Sequence, residues 1–189
     1  MWTAEGYKQV DRLQQQNKLA TFEGAVLPHL DAAYNLARWL TRNDTDAEDV
    51  VQEAFLRAFK FFSGFRGEDG RSWLLAIVRN TSYTWMQNNR TPELRIPLDD
   101  DLDEIESKDL NPEALLVQCA DTLLVRRALE ELPVEFREVL VLRELEEMSY
   151  RDIASITDLP LGTVMSRLAR GRKRLQLALT NQMHAEVLS

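Results

Sequence analysis

The chain has 189 residues, 44% of them hydrophobic, with 23 basic and 31 acidic side chains for a net charge of −8. That length holds one domain or two small ones, and a single cysteine, Cys119, with two histidines, His29 and His184, excludes a disulfide framework and a Cys- or His-rich metal site. No apolar run approaches the ~18 residues of a membrane span, and the opening MWTAEGYKQVDRLQQQNK has no apolar stretch of signal-peptide type, so a soluble, cytoplasmic protein is expected.

In chain order, residues 19–41 place Phe22, Val26, Leu30, Ala33, Leu36, Ala37 and Leu40 at helical period. Pro28 falls inside that pattern and marks a kink or break. Asp44 or Thr45 is expected to cap a second helix reaching about Phe62, with Asp46, Glu48 and Asp49 in its first, electropositive turn. Its apolar face carries Val51, Ala54, Phe55, Ala58, Phe59 and Phe62. Residues 63–70, with three glycines, read as a loop. A third helix follows from about Arg71 to Asn89, with Trp73, Leu74, Ile77, Val78, Thr81 and Trp85 at helical spacing.

Residues 90–112 change character. Three prolines and a run of carboxylates predict an extended, flexible linker, because like charges repel and proline blocks the helix. Helical pattern resumes at Glu113. Pro133 is placed as the first residue of a helix reaching about Glu144, and Ser149 with Asp152 forms a box-like cap on a short helix to about Thr157. Asp158-Leu159-Pro160 is a turn, and a last helix starts near Leu161. The expected fold is all-α: two small helical domains, residues 1–92 and 113–189, joined by an acidic linker at 93–112.

Charge is unevenly spread. Residues 99–109, DDDLDEIESKD, carry −6, whereas no acid occurs from Leu159 to Ala185, where Arg167, Arg170, Arg172, Lys173 and Arg174 make +5. The distribution, not the total, is the nucleic-acid signal. Tethered together, the −6 linker is expected to compete with DNA phosphates for the +5 helix.

Three segments carry chemistry. Residues 149–175 read as a helix-turn-helix: Ile153, Ala154 and Ile156 must meet Val164 and Leu168, which turns Thr163, Ser166, Arg167, Arg170 and Arg174 outward for a major groove. The alternative is an αα-hairpin with a solvated basic face. Residues 44–62 offer Glu48, Asp49, Gln52 and Glu53 opposite an apolar face; on pattern alone this is a plain amphipathic helix. Residues 61–85 interleave aromatics with Arg66, Arg71 and Arg79, which suits single-stranded bases and phosphates or, equally, a core of aromatics under surface arginines.

In this order the three segments resemble the extracytoplasmic-function (ECF) sigma factors, the minimal branch of the primary-sigma superfamily. Asp46 to Phe55 looks like that family's polymerase-binding helix, Phe65-Arg66-Gly67 through Trp73 to Asn80 like its −10 region, and Leu132 to Leu140 with 149–175 like its −35-binding domain. The resemblance implies that Glu48, Asp49, Gln52 and Glu53 meet core RNA polymerase. It places Phe65, Arg66, Gly67, Arg71, Arg79 and Asn80 at the −10 element, with loop 64–70 holding a flipped base. Thr163, Ser166, Arg167, Arg170 and Arg174 would face the −35 element. It further implies promoter DNA and an anti-sigma factor, often membrane-bound, as partners, a stress-response role, no catalysis by the chain itself and no cofactor. Two departures stand out: Met165 where some members carry a basic residue, and Gly171 in mid-helix, at about 1 kcal/mol relative to Ala. A regulator with an N-terminal sensing or dimerisation domain is the alternative of a different class, and an enzyme using Glu48, Asp49 and Glu53 a third.

Overall fold

The computed structural model describes residues 17–66, 69–89 and 122–187. The acidic linker, and with it the expected masking of the basic helix by that linker, lies outside these residues, as do Gly67 and Cys119. Among the described residues there is no strand, and no helix is long and apolar enough to cross a membrane.

The first bundle is built from four helices. Helix α1 (17–26) ends where Pro28, with no N–H to donate, forces a 3₁₀ turn at Leu27–His29 before α2 (Leu30–Thr41). Arg42 then takes a left-handed conformation at φ 63°. The cap of α3 (Asp44–Phe61) is Asn43, whose side chain accepts from the Asp46 amide at 3.1 Å, one residue earlier than expected. A short 3₁₀ turn, Phe62–Gly64, leads towards α4 (Gly70–Asn89). At its start the Asp69 carboxylate accepts from the amides of Arg71 and Ser72, at 3.0 and 3.2 Å, and from the Ser72 hydroxyl. Burial pushes the Asp69 pKa up, but these hydrogen bonds outweigh it and leave the pKa lowered.

Small residues set the packing distance. Ala33, Ala37, Ala47, Ala54 and Ala58 are fully buried where α2, α3 and α4 meet, beside Leu36, Leu40, Leu74, Leu75 and Val78. Gly70 is the tightest approach: a Cβ there would stand 2.3 Å from the Ala25 carbonyl oxygen. An aromatic cluster closes the end. Phe22 meets Phe59 and Phe62 edge-on, each at 5.2 Å, and Phe65 lies between Phe62 (5.6 Å) and Trp73 (4.8 Å).

The second bundle begins with α5 (Thr122–Glu131), which buries Leu124, Ala128 and Leu129. Pro133 caps α6 (Val134–Leu140) rather than opening it, and its carbonyl accepts from Phe136 and Arg137. The helix expected to reach Glu144 instead widens into a π turn, Val141–Leu145, and Glu147 is left-handed at φ 53°. Helix α7 (Tyr150–Thr157) has the full capping box: the Ser149 hydroxyl accepts from the Asp152 amide, and the Asp152 carboxylate from the Ser149 amide. Asp158, left-handed at φ 55°, makes the turn into α8 (Leu161–Val187). Ile153 and Ile156 pack with Val164 and Leu168 as the helix-turn-helix pattern requires.

Gly171 has a packing reason. A Cβ on it would meet Leu140 Cδ1 at 3.2 Å and Phe136 Cβ at 3.4 Å, so its hydrogen lets α6 lie close against α8. Arg137 is buried, donating to the carbonyls of Glu130 and Leu132 at 3.0 and 3.1 Å. Burial first, and Arg42 second, lower its pKa to about 10, which leaves it charged at neutral pH. The two bundles are not held apart: α4 packs on α7, and α2 packs on α6 and the π turn.

Candidate nucleic-acid and polymerase interfaces

Three surfaces carry the residues singled out by the sequence. On α3, the apolar residues Val50, Val51, Ala54 and Ala58 turn inward. Helical geometry then forces Glu48, Asp49, Gln52 and Glu53 to the outside, where all four are exposed. Glu53 is tied to Arg57 one turn on, at 2.7 Å. The exposed apolar side chains Leu56 and Phe61 continue this face towards the aromatic end. Among the described residues no three carboxylates, histidines or cysteines gather as a metal site.

The second surface is the start of α4 with the segment before it. Phe65 is half-buried, stacked on Phe62 and leaning on Trp73, while Arg66 is exposed and Gly67 lies outside the described residues. Asn80 is exposed and accepts from Arg79 at 3.3 Å. Arg71 and Arg79, however, are half-buried and already paired. Arg71 donates to Glu146 Oε2 at 2.7 Å, and Arg79 to Glu138 Oε2 at 3.0 Å. Both acids belong to the second bundle.

The third surface is the N-terminal half of α8. Ser166, Met165, Arg170 and Lys173 are exposed and Thr163 is half-buried. Two of the expected outward arginines are placed differently. Arg167 donates to Glu138 Oε1 at 3.2 Å, and the Arg174 guanidinium lies over the Phe136 ring at 4.9 Å. Arg172 is held by Glu144 at 2.8 Å; burial opposes its charge, and the Glu144 hydrogen bond overcomes this and raises its pKa. The cause is the same in each case: α6 and the π turn lie against this helix, and their acids and aromatics reach it first.

Glu138 is the meeting point. Its side chain is 0% exposed, yet both carboxylate oxygens are engaged: Oε2 by Arg79 and by the Tyr83 hydroxyl at 2.9 Å, Oε1 by Arg167. A buried carboxylate is tolerated only when paired and hydrogen-bonded, and here it is both. Burial works against the Arg79 charge, but the hydrogen bond and charge of Glu138 prevail and raise its pKa. Tyr83, half-buried and beside the same carboxylate, is held well above the ordinary phenol range by desolvation first and the Glu138 charge second, so it donates. Further contacts flank Glu138 along the seam between the bundles, among them Arg38 to Glu130 Oε1 at 3.6 Å. Glu146 also accepts from Asn35 at 3.3 Å, and Arg42 donates to the Leu132 carbonyl at 3.1 Å. None of Glu138, Glu146, Asn35 or Arg42 was singled out from the sequence. The available signal was Glu138 itself: an acid four residues after Val134 and three before Val141, on an otherwise apolar face.

Comparison with known proteins places these surfaces in a family. The model of sigma-70 region 2 matches residues 25–91, and that of sigma-70 region 4 matches residues 122–175. The ECF RNA polymerase sigma-E factor of Escherichia coli K12 is 37% identical over 141 residues, 69% of this chain and 72% of its own length. The RNA polymerase sigma-H factor of Pseudomonas aeruginosa is 32% identical over 181 residues, 90% of this chain and 91% of its own. The ECF sigma factor SigE of Mycolicibacterium smegmatis is 33% identical over 88% of this chain, which spans only 64% of that relative's length. Among solved structures, the sigma factor RpoE of Bartonella quintana, in complex with the anti-sigma factor NepR, matches with a TM-score of 0.65 and 32% identity over 85% of this chain and 97% of its own. CnrH, in complex with the cytosolic domain of CnrY, matches with a TM-score of 0.61 and 25% identity over 86% and 90%. With α2 to α4 carrying the region 2 match and α5 to the first half of α8 the region 4 match, the chain belongs to the ECF sigma factors, the sigma-70-type subunits that direct RNA polymerase to its promoters.

Proposed function

We propose that this chain binds core RNA polymerase through α3, captures the melted −10 strand with the start of α4, and reads the −35 duplex with α8. The observation that carries the reading is the α7–α8 pair. A capped short helix, a left-handed turn at Asp158 and a helix without an acid as far as Ala185, exposing Ser166, Arg170 and Lys173, together form a helix-turn-helix. Thr163, Ser166, Arg167 and Arg170 supply base-edge and phosphate contacts, and Arg174 borders them from its seat on Phe136. Phe65, Arg66, Gly67, Arg71, Arg79 and Asn80 serve the −10 strand, with aromatic stacking for bases and guanidinium for phosphate. Glu48, Asp49, Gln52 and Glu53 offer core polymerase an acidic, hydrogen-bonding strip.

The division of labour follows residues 1–92 and 113–189, with 93–112 as tether. Those 20 residues reach at most ~66–72 Å, close to two DNA turns of ~34–36 Å, so both elements are held at once and weak contacts multiply. The mechanism is recognition and strand capture in the cytoplasm; bond formation belongs to the polymerase core. One solved relative is a sigma factor in complex with the anti-sigma factor NepR, and another, CnrH, is in complex with the cytosolic domain of CnrY; the first supports an anti-sigma partner here. The deciding experiment is run-off transcription with core polymerase over a promoter library. Specific initiation that depends on the chain supports the proposal; stable, specific DNA binding by the chain alone, without initiation, favours a regulator.

A further inference from the structure

We infer that Met165 is a specificity-determining residue of the chain: with Ala169 it forms an apolar half of the α8 reading face and selects thymine, through its 5-methyl group, in the −35 duplex. The inference rests on the sigma reading of α8 and goes beyond it, since the residues assigned there to the −35 element are all polar or charged. Burial sets the geometry. At about 100° per residue, the buried Val164, Leu168, Gly171 and Leu175 define the inward side of α8, and Ser166 lies opposite them, exposed. Met165 and Ala169 fall to one side of Ser166, whereas Thr163, Arg167 and Arg170 fall to the other. Met165 is 51% exposed, and Ala169 is exposed one turn further on. Leu161, 44% exposed, precedes them by a turn. The outer face of α8 is thus divided lengthwise, apolar on one side and hydrogen-bonding and cationic on the other.

A lone exposed methionine decides nothing; its surroundings do. No acid occurs from Leu159 to Ala185, and Arg170 and Lys173 stand exposed within about two turns of Met165. The partner that seats here is therefore a polyanion, and the apolar half must meet an apolar group that a polyanion carries. The major-groove edge of B-DNA offers one alkyl group, the thymine methyl. Met165 lies in the first turns of α8, the part of a recognition helix that reaches base edges. Its unbranched chain with three rotatable bonds lets the thioether follow the methyl, and the Ala169 methyl adds a second apolar contact of the same kind. Ser166 narrows the choice. Its hydroxyl donates to the Thr163 carbonyl at 3.0 Å, so towards DNA it offers an acceptor. An acceptor beside an apolar chain matches an A·T pair, whose major-groove edge carries the adenine N6 donor and the thymine methyl; a G·C pair has no alkyl group for Met165.

The test uses the full chain with core polymerase on a promoter selected from the library. Deoxyuridine replaces each thymine of the −35 element in turn, which removes one methyl and leaves every hydrogen-bonding group in place. Competition binding gives the ratio of thymine to uracil affinity for the parent, for Met165→Gln, similar in length but polar at its tip, and for Met165→Leu. At one or two A·T pairs the parent should prefer thymine about three- to fivefold, the weight of about one buried methyl group. Met165→Gln should lose that preference and Met165→Leu keep it. The contact is uncharged, so the ratio should persist as salt is raised while both affinities fall. A parent indifferent to uracil at every position overturns the inference. So does a selected −35 element without an A·T pair, a Met165→Gln chain that keeps the ratio, or a ratio that collapses with salt. Should Met165→Gln lose its helical circular dichroism, the parent on thymine and uracil templates decides alone. A chain that initiates from no promoter refutes the sigma reading, and this inference with it; one that initiates and ignores uracil refutes the methyl reading alone.

Discussion

Gly70→Ala should damage the first bundle although alanine is the better helix former. The propensity gain is at most about 1 kcal/mol. Against it stands one contact: the new Cβ would lie 2.3 Å from the Ala25 carbonyl oxygen, more than 1 Å inside any ordinary carbon–oxygen approach, and the neighbour is backbone. The clash is relieved only by moving the end of α1 away from the start of α4, and Phe22 and Val26, buried on α1, move with it. Overpacking of this kind costs about 1–3 kcal/mol, so a net loss of about 1–2 kcal/mol is expected. The same shift moves the Phe65–Trp73 contact, so promoter melting should fall more than core binding. Gly24→Ala is the matched control, since nothing stands within 4 Å of its Cβ position; it should be neutral or stabilising. Urea unfolding of both variants measures the difference, with potassium permanganate footprinting of the −10 region as the functional arm. A Gly70→Ala chain as stable as Gly24→Ala would refute the packing argument.

Asp49→Ala with Gln52→Ala should weaken core polymerase binding about tenfold without changing the melting temperature, because both side chains are exposed on one face of α3; unchanged affinity in a titration removes α3 from the interface. Arg170→Ala should weaken −35 binding by about 1–3 kcal/mol for a lost base contact, or uniformly, with a salt slope lower by about 1, for a lost phosphate contact; normal initiation on every −35 variant counts against a reading role. Ser149→Ala removes half of the capping box and should destabilise the second bundle by about 1 kcal/mol in a thermal melt. Asp69 has a folded pKa below its unfolded value, so it contributes stability above the unfolded value that is lost as pH falls through the folded one. Asp69→Asn should therefore flatten the acid limb of the stability profile, and an identical limb in the two proteins would contradict the hydrogen bonds assigned to it.

Helix positions were legible because burial has a 3.6-residue period in this chain: Phe22, Val26, Ala33, Leu36, Ala37 and Leu40 are buried as spaced, while Leu30, on the same spacing, is exposed at the start of α2, where the 3₁₀ turn at Pro28 shifts the register. Caps were legible where one candidate stood alone. Ser149 with Asp152 was read correctly, whereas Asn43, Asp44 and Thr45 compete in a row and the cap fell to the first of them. The π turn at Val141–Leu145 left no trace, since its residues satisfy an α pattern equally well. The seam was the largest omission. Arg71, Arg79 and Arg167 were recognised as cations, but a charge inventory cannot tell a free arginine from one whose partner lies 29 or 59 residues away, as Glu138 does for Arg167 and Arg79.

Helix α8 runs unbroken from Leu161 to Val187, 27 residues and about 40 Å. Its first turns carry the residues proposed to read the −35 element, while Leu175 and Leu179, further along, are buried in the second bundle, where α8 packs on α5. A single rigid rod therefore serves as both probe and anchor. Any change that tilts the anchored end, at Leu179 or at Leu129 and Leu124 of α5, displaces the probe roughly three to four turns away by leverage alone. On the proposed reading role of α8, selection on promoter preference can thus act through residues buried in the core, and the hydrophobic packing of this bundle becomes part of its reading code.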